Sequence, residues 1–358
     1  MLLRELRNRE RRTLVSYRDA GFGDNLLAAA NAWYYAKLTQ RDLMVIWSPS
    51  RYLSDKRRNA FNAFFSLPDH IEGVPVLTPD CVDRVSGFVL SNIDGFLLPL
   101  LPHPIFAVLY LLYNAAGQIR LKRLSAILGS GISRARIGRR RELESIITLG
   151  KDIRRKVVIT NGCYEPHERL HPFFDALQLA PELRFPADEF ATAHFQSKKV
   201  IGVHVRYYDQ CLRRSSHTNF WLDPEKALQV CEEKITEAIR RLSSPGGYTA
   251  GEWEKLARKE KAEDPSDKLS PSDYVIFLAT DSARVHDAVK RRFENVVTYE
   301  KSFGSEGARE LHEELPVETG SASAIEMFLL AKSNILVRYP PGSWFSNYAS
   351  LYVKEIIV

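Results

Sequence analysis

Four cysteines in 358 residues, Cys81, Cys163, Cys211 and Cys231, form no Cys-x-x-Cys pair. They are too few and too scattered for a disulfide framework or a zinc site, and they read as reduced thiols of a cytosolic chain. No Asp-x-Asp occurs anywhere, and no His, Cys and carboxylate residues recur at metal-ligand spacing. A diphosphate handled by this chain would be neutralised by arginines, backbone amides and helix dipoles, with no divalent ion required. The dinucleotide fingerprint is also incomplete. Gly21-Phe22-Gly23 has no third glycine in place, which counts against a nicotinamide dehydrogenase. The N-terminal "MLLRELRNRERRTLVSYRD" lacks the long apolar run of a signal peptide. Internal repeats and low-complexity tracts are absent.

One long uncharged run is present, Phe96 to Ala116, "FLLPLLPHPIFAVLYLLYNAA". Its length approaches that of a bilayer span, but Pro99, Pro102 and Pro104 interrupt its first half. Behind it, Ile119 to Lys156 carries 12 Lys or Arg against 3 Asp or Glu. That excess exceeds the net charge of +6, so the rest of the chain is slightly acidic. Two readings of 96–156 stay open. One packs the apolar part as a buried insertion, and the other sets it peripherally on an anionic membrane beside its basic flank. Nucleic acid is disfavoured, because the basic segment has neither interleaved aromatics nor a recognisable binding motif.

What remains alternates between strand and helix. Leu14–Tyr17, Asp24–Lys37 and Leu43–Trp47 read as a βαβ unit around a Gly-rich turn, and 156–160 as another buried strand. In the second half, "KVIGVHV", "YVIFLATD", "NVVTY" and "NILVRY" read as strands. Helices follow in "PEKALQVCEEKITEAIRRL", "SARVHDAVKRRF", "SASAIEMFLLAKS" and a final "GSWFSNYASLYVKE", while 243–273 is a polar loop. This grammar predicts an α/β chain of two doubly wound domains, with ligands at the carboxyl ends of the strands.

Those ends carry the candidate residues. Gly21 and Gly23 permit close approach of phosphate to a helix N-terminus, or simply a tight turn at positive φ. His204 and Arg206 project from one face of a strand end, where Arg can grip a diphosphate and His can donate to base or phosphate; an interdomain ion pair is the plainer alternative. Asp281 ends another strand, placed to bind a ribose or paired N–H groups of a purine, or to cap the next helix. Glu326 sits in an apolar helix and needs a partner unless it is exposed. Gly342 and Ser343 stand where a strand passes into a helix, so amides, hydroxyl and dipole converge on an anion.

Together, "RDAGFGDNLLAAANAWYYAKLTQRDLMVIW", "VIGVHVRYYD", "FLATDSARV" and "SAIEMFLLAKSNILVRYPPGSWFSNYASLY" resemble the nodulation α1,6-fucosyltransferases, relatives of the eukaryotic core α1,6-fucosyltransferases. The resemblance implies a GT-B-like fold, two Rossmann-type domains facing across a cleft. An acceptor-side domain would span 1–190, with 96–156 as an insertion, and a GDP-sugar-binding domain 191–358. It implies transfer of fucose from GDP-fucose to the 6-hydroxyl of an N-acetylglucosamine, with inversion and without metal or other cofactor. The expected acceptor is an oligosaccharide, polysaccharide or lipid-linked glycan, and the expected location is cytoplasmic or peripheral on the inner membrane face. Carried over by motif, Arg206 clamps the β-phosphate and His204 contacts GDP. Asp281 and Glu326 lie around the guanosine, Glu326 standing where the family usually has Asp. Gly21, Phe22, Gly23, Gly342 and Ser343 belong to the donor site. One departure bears on catalysis. The family commonly has a Glu soon after its His-x-Arg as candidate base, but here Tyr207 and Tyr208 follow and Asp209 is the only carboxylate before His217. Asp209 is therefore the candidate base, with Asp24 and Glu165 as further candidates. A transferase of another GDP-sugar, or a catalytically silent nucleotide-sugar-binding protein, is the alternative.

Overall fold

The computed structural model describes residues 12–18, 21–47, 53, 55, 58–80, 157–160, 168–206, 224–243, 270–301, 303, 317–340 and 343–358. The segment 96–156, most of the loop 243–273, Asp209 and Gly342 lie outside them. The chain divides into two compact units, Met1–Ala180 and Pro181–Val358.

In the first unit, β1 (Thr13–Arg18) leads into α1 (Phe22–Leu38) and β2 (Asp42–Trp47). There follow α2 (Ala60–Phe64), β3 (Phe65–Ser66), β4 (His70–Ile71), β5 (Val74–Leu77), β6 (Val157–Thr160), α3 (His171–Ala176) and β7 (Gln178–Leu179). The main sheet has the order β4-β5-β2-β1-β6. Its pairings are parallel except for the β4–β5 hairpin. That hairpin turns at Glu72 (φ 46°) and Gly73 (φ 79°), a left-handed pair that a glycine accommodates at no steric cost. Helix α1 is apolar on nearly every side and is buried from Asn25 to Ala36. Phe22, at its start, meets Trp47, Phe64 and Phe65 edge-on at 5.6, 5.0 and 5.8 Å between ring centroids.

Asn59, 1 % exposed, joins α2 to the sheet. Its Oδ1 accepts the backbone N–H groups of Trp47 (2.9 Å) and Phe61 (3.2 Å), and its Nδ2 donates to the Val45 carbonyl (2.9 Å). One amide thereby caps the helix and satisfies the end of β2.

The second unit begins with α4 (Pro181–Phe195), which runs across position 190, where the sequence suggests a division. Next come β8 (Lys199–Val205), α5 (Pro224–Ser243), β9 (Tyr274–Thr280) and α6 (Ala283–Arg292). The chain continues through β10 (Val296–Val297), α7 (Val317–Ala331), β11 (Ile335–Tyr339), α8 (Asn347–Ser350) and β12 (Glu355–Ile357). The sheet is fully parallel, in the order β10-β9-β8-β11-β12. The strands are near-continuous apolar runs, as expected of strands covered on both faces. On one face Ile201, Val203 and Val205 of β8 pack with Ala227, Cys231 and Ile235 of α5 and with Val285 and Val289 of α6. On the other, Phe277 of β9 meets Phe190 and Phe195 of α4, and Gly202 lies beneath Leu330 and Ser333 at the end of α7.

The chain end departs from the sequence expectation of one long helix over 342–355. A single 3₁₀ turn, Trp344–Ser346, and the short α8 are followed by β12, which pairs with β11. The β-branched Ile356 and Ile357 favour the pleated edge, where they pair with Leu336 and Val337 of β11.

Gly202 has a steric reason to be glycine. A Cβ there would lie 2.2 Å from Ser333 Oγ and 3.2 Å from Leu330 Cδ2. Gly202→Ala is expected to cost about 1–3 kcal/mol through overpacking. Urea unfolding of both proteins checks this, and an unchanged midpoint would show that α7 yields without cost.

Candidate functional site at the strand ends of the second unit

In an open parallel sheet, two neighbouring strands whose onward connections run to opposite sides leave a crevice at their carboxyl ends. The order β10-β9-β8-β11-β12 reverses between β8 and β11. The three central strands end level, because Val205 pairs with both Thr280 and Tyr339. Arg206 extends the ladder by one bond, its N–H donating to the Tyr339 carbonyl at 2.8 Å. Side-chain alternation puts His204 and Arg206 on the face that α7 covers.

Around this point the structure gathers five of the residues expected from sequence: His204, Arg206, Asp281, Glu326 and Ser343. His204 is 5 % exposed, lies beside Arg338 in register and packs against Phe345 at 4.9 Å. Burial holds its imidazole pKa well below the ordinary range, and the positive charges of Arg206, Arg338 and Lys301 push it the same way. His204 is therefore neutral at neutral pH and acts as a hydrogen-bonding group. Glu326, 2 % exposed, receives a hydrogen bond from Lys301 at 2.7 Å. Burial raises its carboxyl pKa, the Lys301 charge and hydrogen bond oppose that, and nearby Asp281 adds to it. Among the described residues, His204 Nδ1, Glu326 Oε1 and Ser343 Oγ are buried without a hydrogen-bond partner. Buried polar atoms of this kind are costly unless a ligand or water satisfies them.

Arg338 organises the turn after β11. Its Nε donates to Ser346 Oγ at 2.9 Å, and its Nη2 donates to the Ser343 carbonyl at 2.8 Å and to Asn347 Oδ1. Ser343 is thereby held at the mouth of α8. At the end of β9, Ser282 caps α6, its Oγ accepting the Val285 N–H at 3.2 Å. The cap is thus Ser282 and not Asp281.

Gly21, Phe22 and Gly23 belong to the first unit, at the end of β1, where that sheet reverses between β1 and β6. Gly21 is the N-cap of α1 with φ −63° and makes no side-chain cap. Left-handed backbone is thus not what calls for a glycine there, and Phe22 and Gly23 lie inside the helix. A Cβ on Gly21 would come no closer than 3.7 Å to Asp24 Oδ2, an ordinary contact.

Residues 10–104, 131–246 and 253–358 match the family described as nodulation protein Z. The chain belongs to the nodulation protein Z family. It is 29 % identical over 357 residues to nodulation protein Z of Sinorhizobium fredii, covering 97 % of this chain and 92 % of that protein. Its fold is similar to that of fucosyltransferase NodZ from Bradyrhizobium, with a TM-score of 0.61 and 27 % identity over 98 % of this chain and 96 % of that one. A structure of NodZ α-1,6-fucosyltransferase soaked with GDP-fucose gives a TM-score of 0.59 and 26 % identity over 97 % and 94 %.

Three site residues of this nodulation protein Z family member escape a sequence reading: Lys301, Arg338 and Phe345. Arg338 falls inside a strand motif, where its charge carried a signal that was available. Lys301 follows a two-residue strand in "TYEKS" and has no spacing to mark it.

The depressed pKa of His204 has a consequence for stability. In the unfolded chain the imidazole takes up a proton as pH falls through about 6.5, and in the folded protein it resists doing so. The folded state therefore loses stability from about pH 6.5 downward, at up to about 1.4 kcal/mol per pH unit from this group. His204→Gln should flatten that decline. Urea unfolding between about pH 7.5 and 5 measures it, and parallel slopes for the two proteins would refute the assignment.

Proposed function

We propose that this chain is a fucosyltransferase that moves fucose from GDP-fucose to a glycan acceptor containing N-acetylglucosamine, at its 6-hydroxyl, with inversion and without a divalent metal. The observation that carries the reading is the convergence of His204, Arg206 and Ser343 at the switch point of a parallel sheet, with Asp281 and Glu326 beside them. A relative of the same fold, soaked with GDP-fucose, supports the donor.

In this mechanism the Arg206 guanidinium holds oxygens of the β-phosphate bidentately. As the bond between the anomeric carbon and the phosphate oxygen breaks, the electron pair goes to that oxygen, and Arg206 and the Ser343 hydroxyl take up the growing charge. Neutral His204 donates or accepts a hydrogen bond to the nucleotide without competing for the phosphate charge. The sugar passes through an oxocarbenium-like state. The acceptor oxygen bonds to the anomeric carbon from the opposite side, and its proton passes to a carboxylate, which we assign from sequence to Asp209. GDP departs as the anion.

Arg206→Ala should lower turnover by about 10²–10³, roughly 3–4 kcal/mol of leaving-group stabilisation. Arg206→Lys should recover little of it, since a point charge lacks the planar fork. The assay is release of GDP from GDP-fucose in the presence of N-acetylglucosamine oligosaccharides, and a near wild-type rate in the alanine variant would remove Arg206 from the mechanism. A panel of GDP-sugars in the same assay separates fucose from other donors.

The metal-free part of the reading rests on the missing Asp-x-Asp and the arginine at the strand end. Turnover should be the same in EDTA as in Mg²⁺ or Mn²⁺. Activity abolished by EDTA and restored by either ion would overturn it.

A further inference from the structure

The ion pair between Lys301 and Glu326 is unusual for its burial, with side chains 9 % and 3 % exposed. Buried ion pairs seldom stabilise a fold more than well-packed apolar residues would, so their presence calls for another reason. This pair is also incompletely satisfied. Glu326 Oε2 receives the Lys301 ammonium at 2.7 Å, whereas Oε1 has no partner among the described residues. An ammonium carries three protons. Lys301 gives one to Glu326, and its Nζ lies 5.9 Å from the centre of the Phe303 ring. Among the described residues, two ammonium donors and one carboxylate acceptor are therefore presented side by side. The field of Lys301 reaches both His204 and Glu326, which ties the pair to the strand-end site.

Such an edge has a natural complement. Guanine offers an acceptor at O6 next to donors at N1–H and its 2-amino group. Adenine reverses the sign at the first two of these positions. Uracil is smaller and offers a single N–H between two carbonyls. Hypoxanthine keeps O6 and N1–H and lacks only the amino group.

We propose that Lys301 is a specificity-determining residue of the donor site: its ammonium donates to O6 of guanine and, by holding Glu326 Oε2, leaves Oε1 fixed to accept from N1–H and the 2-amino group. The proposal rests on the donor reading above and adds to it the residue that selects the base. The electrostatics agree with the geometry. Among the described residues, the charged groups acting on Glu326 are Lys301 beyond β10 and Asp281 at the end of β9, while Arg206 and Arg338 on the β8 and β11 side act with Lys301 on the neighbouring, neutral His204. Of the groups acting on Glu326, only Lys301 favours the carboxylate. Once protonated, Glu326 would place an O–H against the guanine donors. Without Lys301 its pKa rises further, and guanine binding then strengthens as pH increases through a range shifted upward from that of the wild type.

The experiment measures binding of GDP, IDP, ADP and UDP to the full chain and to Lys301→Met by calorimetry, at several values between about pH 6 and 8.5. The wild type should prefer GDP to ADP and UDP, with IDP between. Lys301→Met should lose about 10- to 100-fold in GDP affinity while ADP and UDP are unchanged, and should regain part of it at high pH. Where the methionine variant does not fold, Lys301→Gln carries the test, because it retains a donor but not the charge, and the upward shift in the pH profile is then the readout. Equal loss for all four nucleotides, or an unaltered preference and pH profile, would overturn the role of Lys301. A wild type that binds no GDP would instead overturn the donor reading itself.

Discussion

Everything chemical in the second unit depends on one constraint, the shared register of three parallel strands. Because Val205 lies opposite both Thr280 and Tyr339, β8, β9 and β11 stop at the same height. Strand ends in register deliver their next residues to one place. That is how Arg206, Asp281 and the turn before Ser343 meet although they are separated by long stretches of chain. A slip of one residue in β8 would turn His204 and Arg206 to the face filled by α5 and α6 and bring Val203 and Val205 to the site. The apolar residues of β8 therefore fix the position of its polar ones.

The charges at that place are balanced in a particular way. Burial first, and then the positive charges of Arg206, Arg338 and Lys301, hold the His204 imidazole pKa well below its ordinary value. Glu326 is the buried counterweight to Lys301. Arg338 has a different task, since its guanidinium is engaged by Ser343, Ser346 and Asn347 and shapes the turn. Burial lowers the Arg338 pKa, and its hydrogen bonds to the turn compensate for that burial.

The strands were legible in the sequence because buried parallel strands read as short β-branched runs with turn residues on either side, and β8, β9 and β11 fall within a residue of where that pattern puts them. His204 and Arg206 were legible for the same reason, as polar residues at the end of an apolar run. Elsewhere the local signal misled. "GSWFSNYASLYVKE" has helical spacing, yet hydrogen bonds from Arg338 and ladder bonds from β11 divide it into turn, short helix and strand. Lys301 was invisible because its importance comes from Glu326, 25 residues away, and no local pattern encodes that distance. Gly21 suggested an unusual backbone, and the structure gives it an ordinary φ.

Asn59 shows how a single side chain can take the part of a strand. β5 pairs with β2 only at Leu43 and Met44, so β2 outlasts its neighbour on that side. Beyond that pairing, the Val45 carbonyl and the Trp47 N–H are both taken by the Asn59 amide. A stretch of backbone left open there would be a template for another chain's extended segment, the usual beginning of edge-to-edge aggregation. The amide closes that ladder with a group that has no continuation of its own. The sheet ends where Asn59 binds it, and the hydrogen bonds that might have recruited a neighbour are already in use within the molecule.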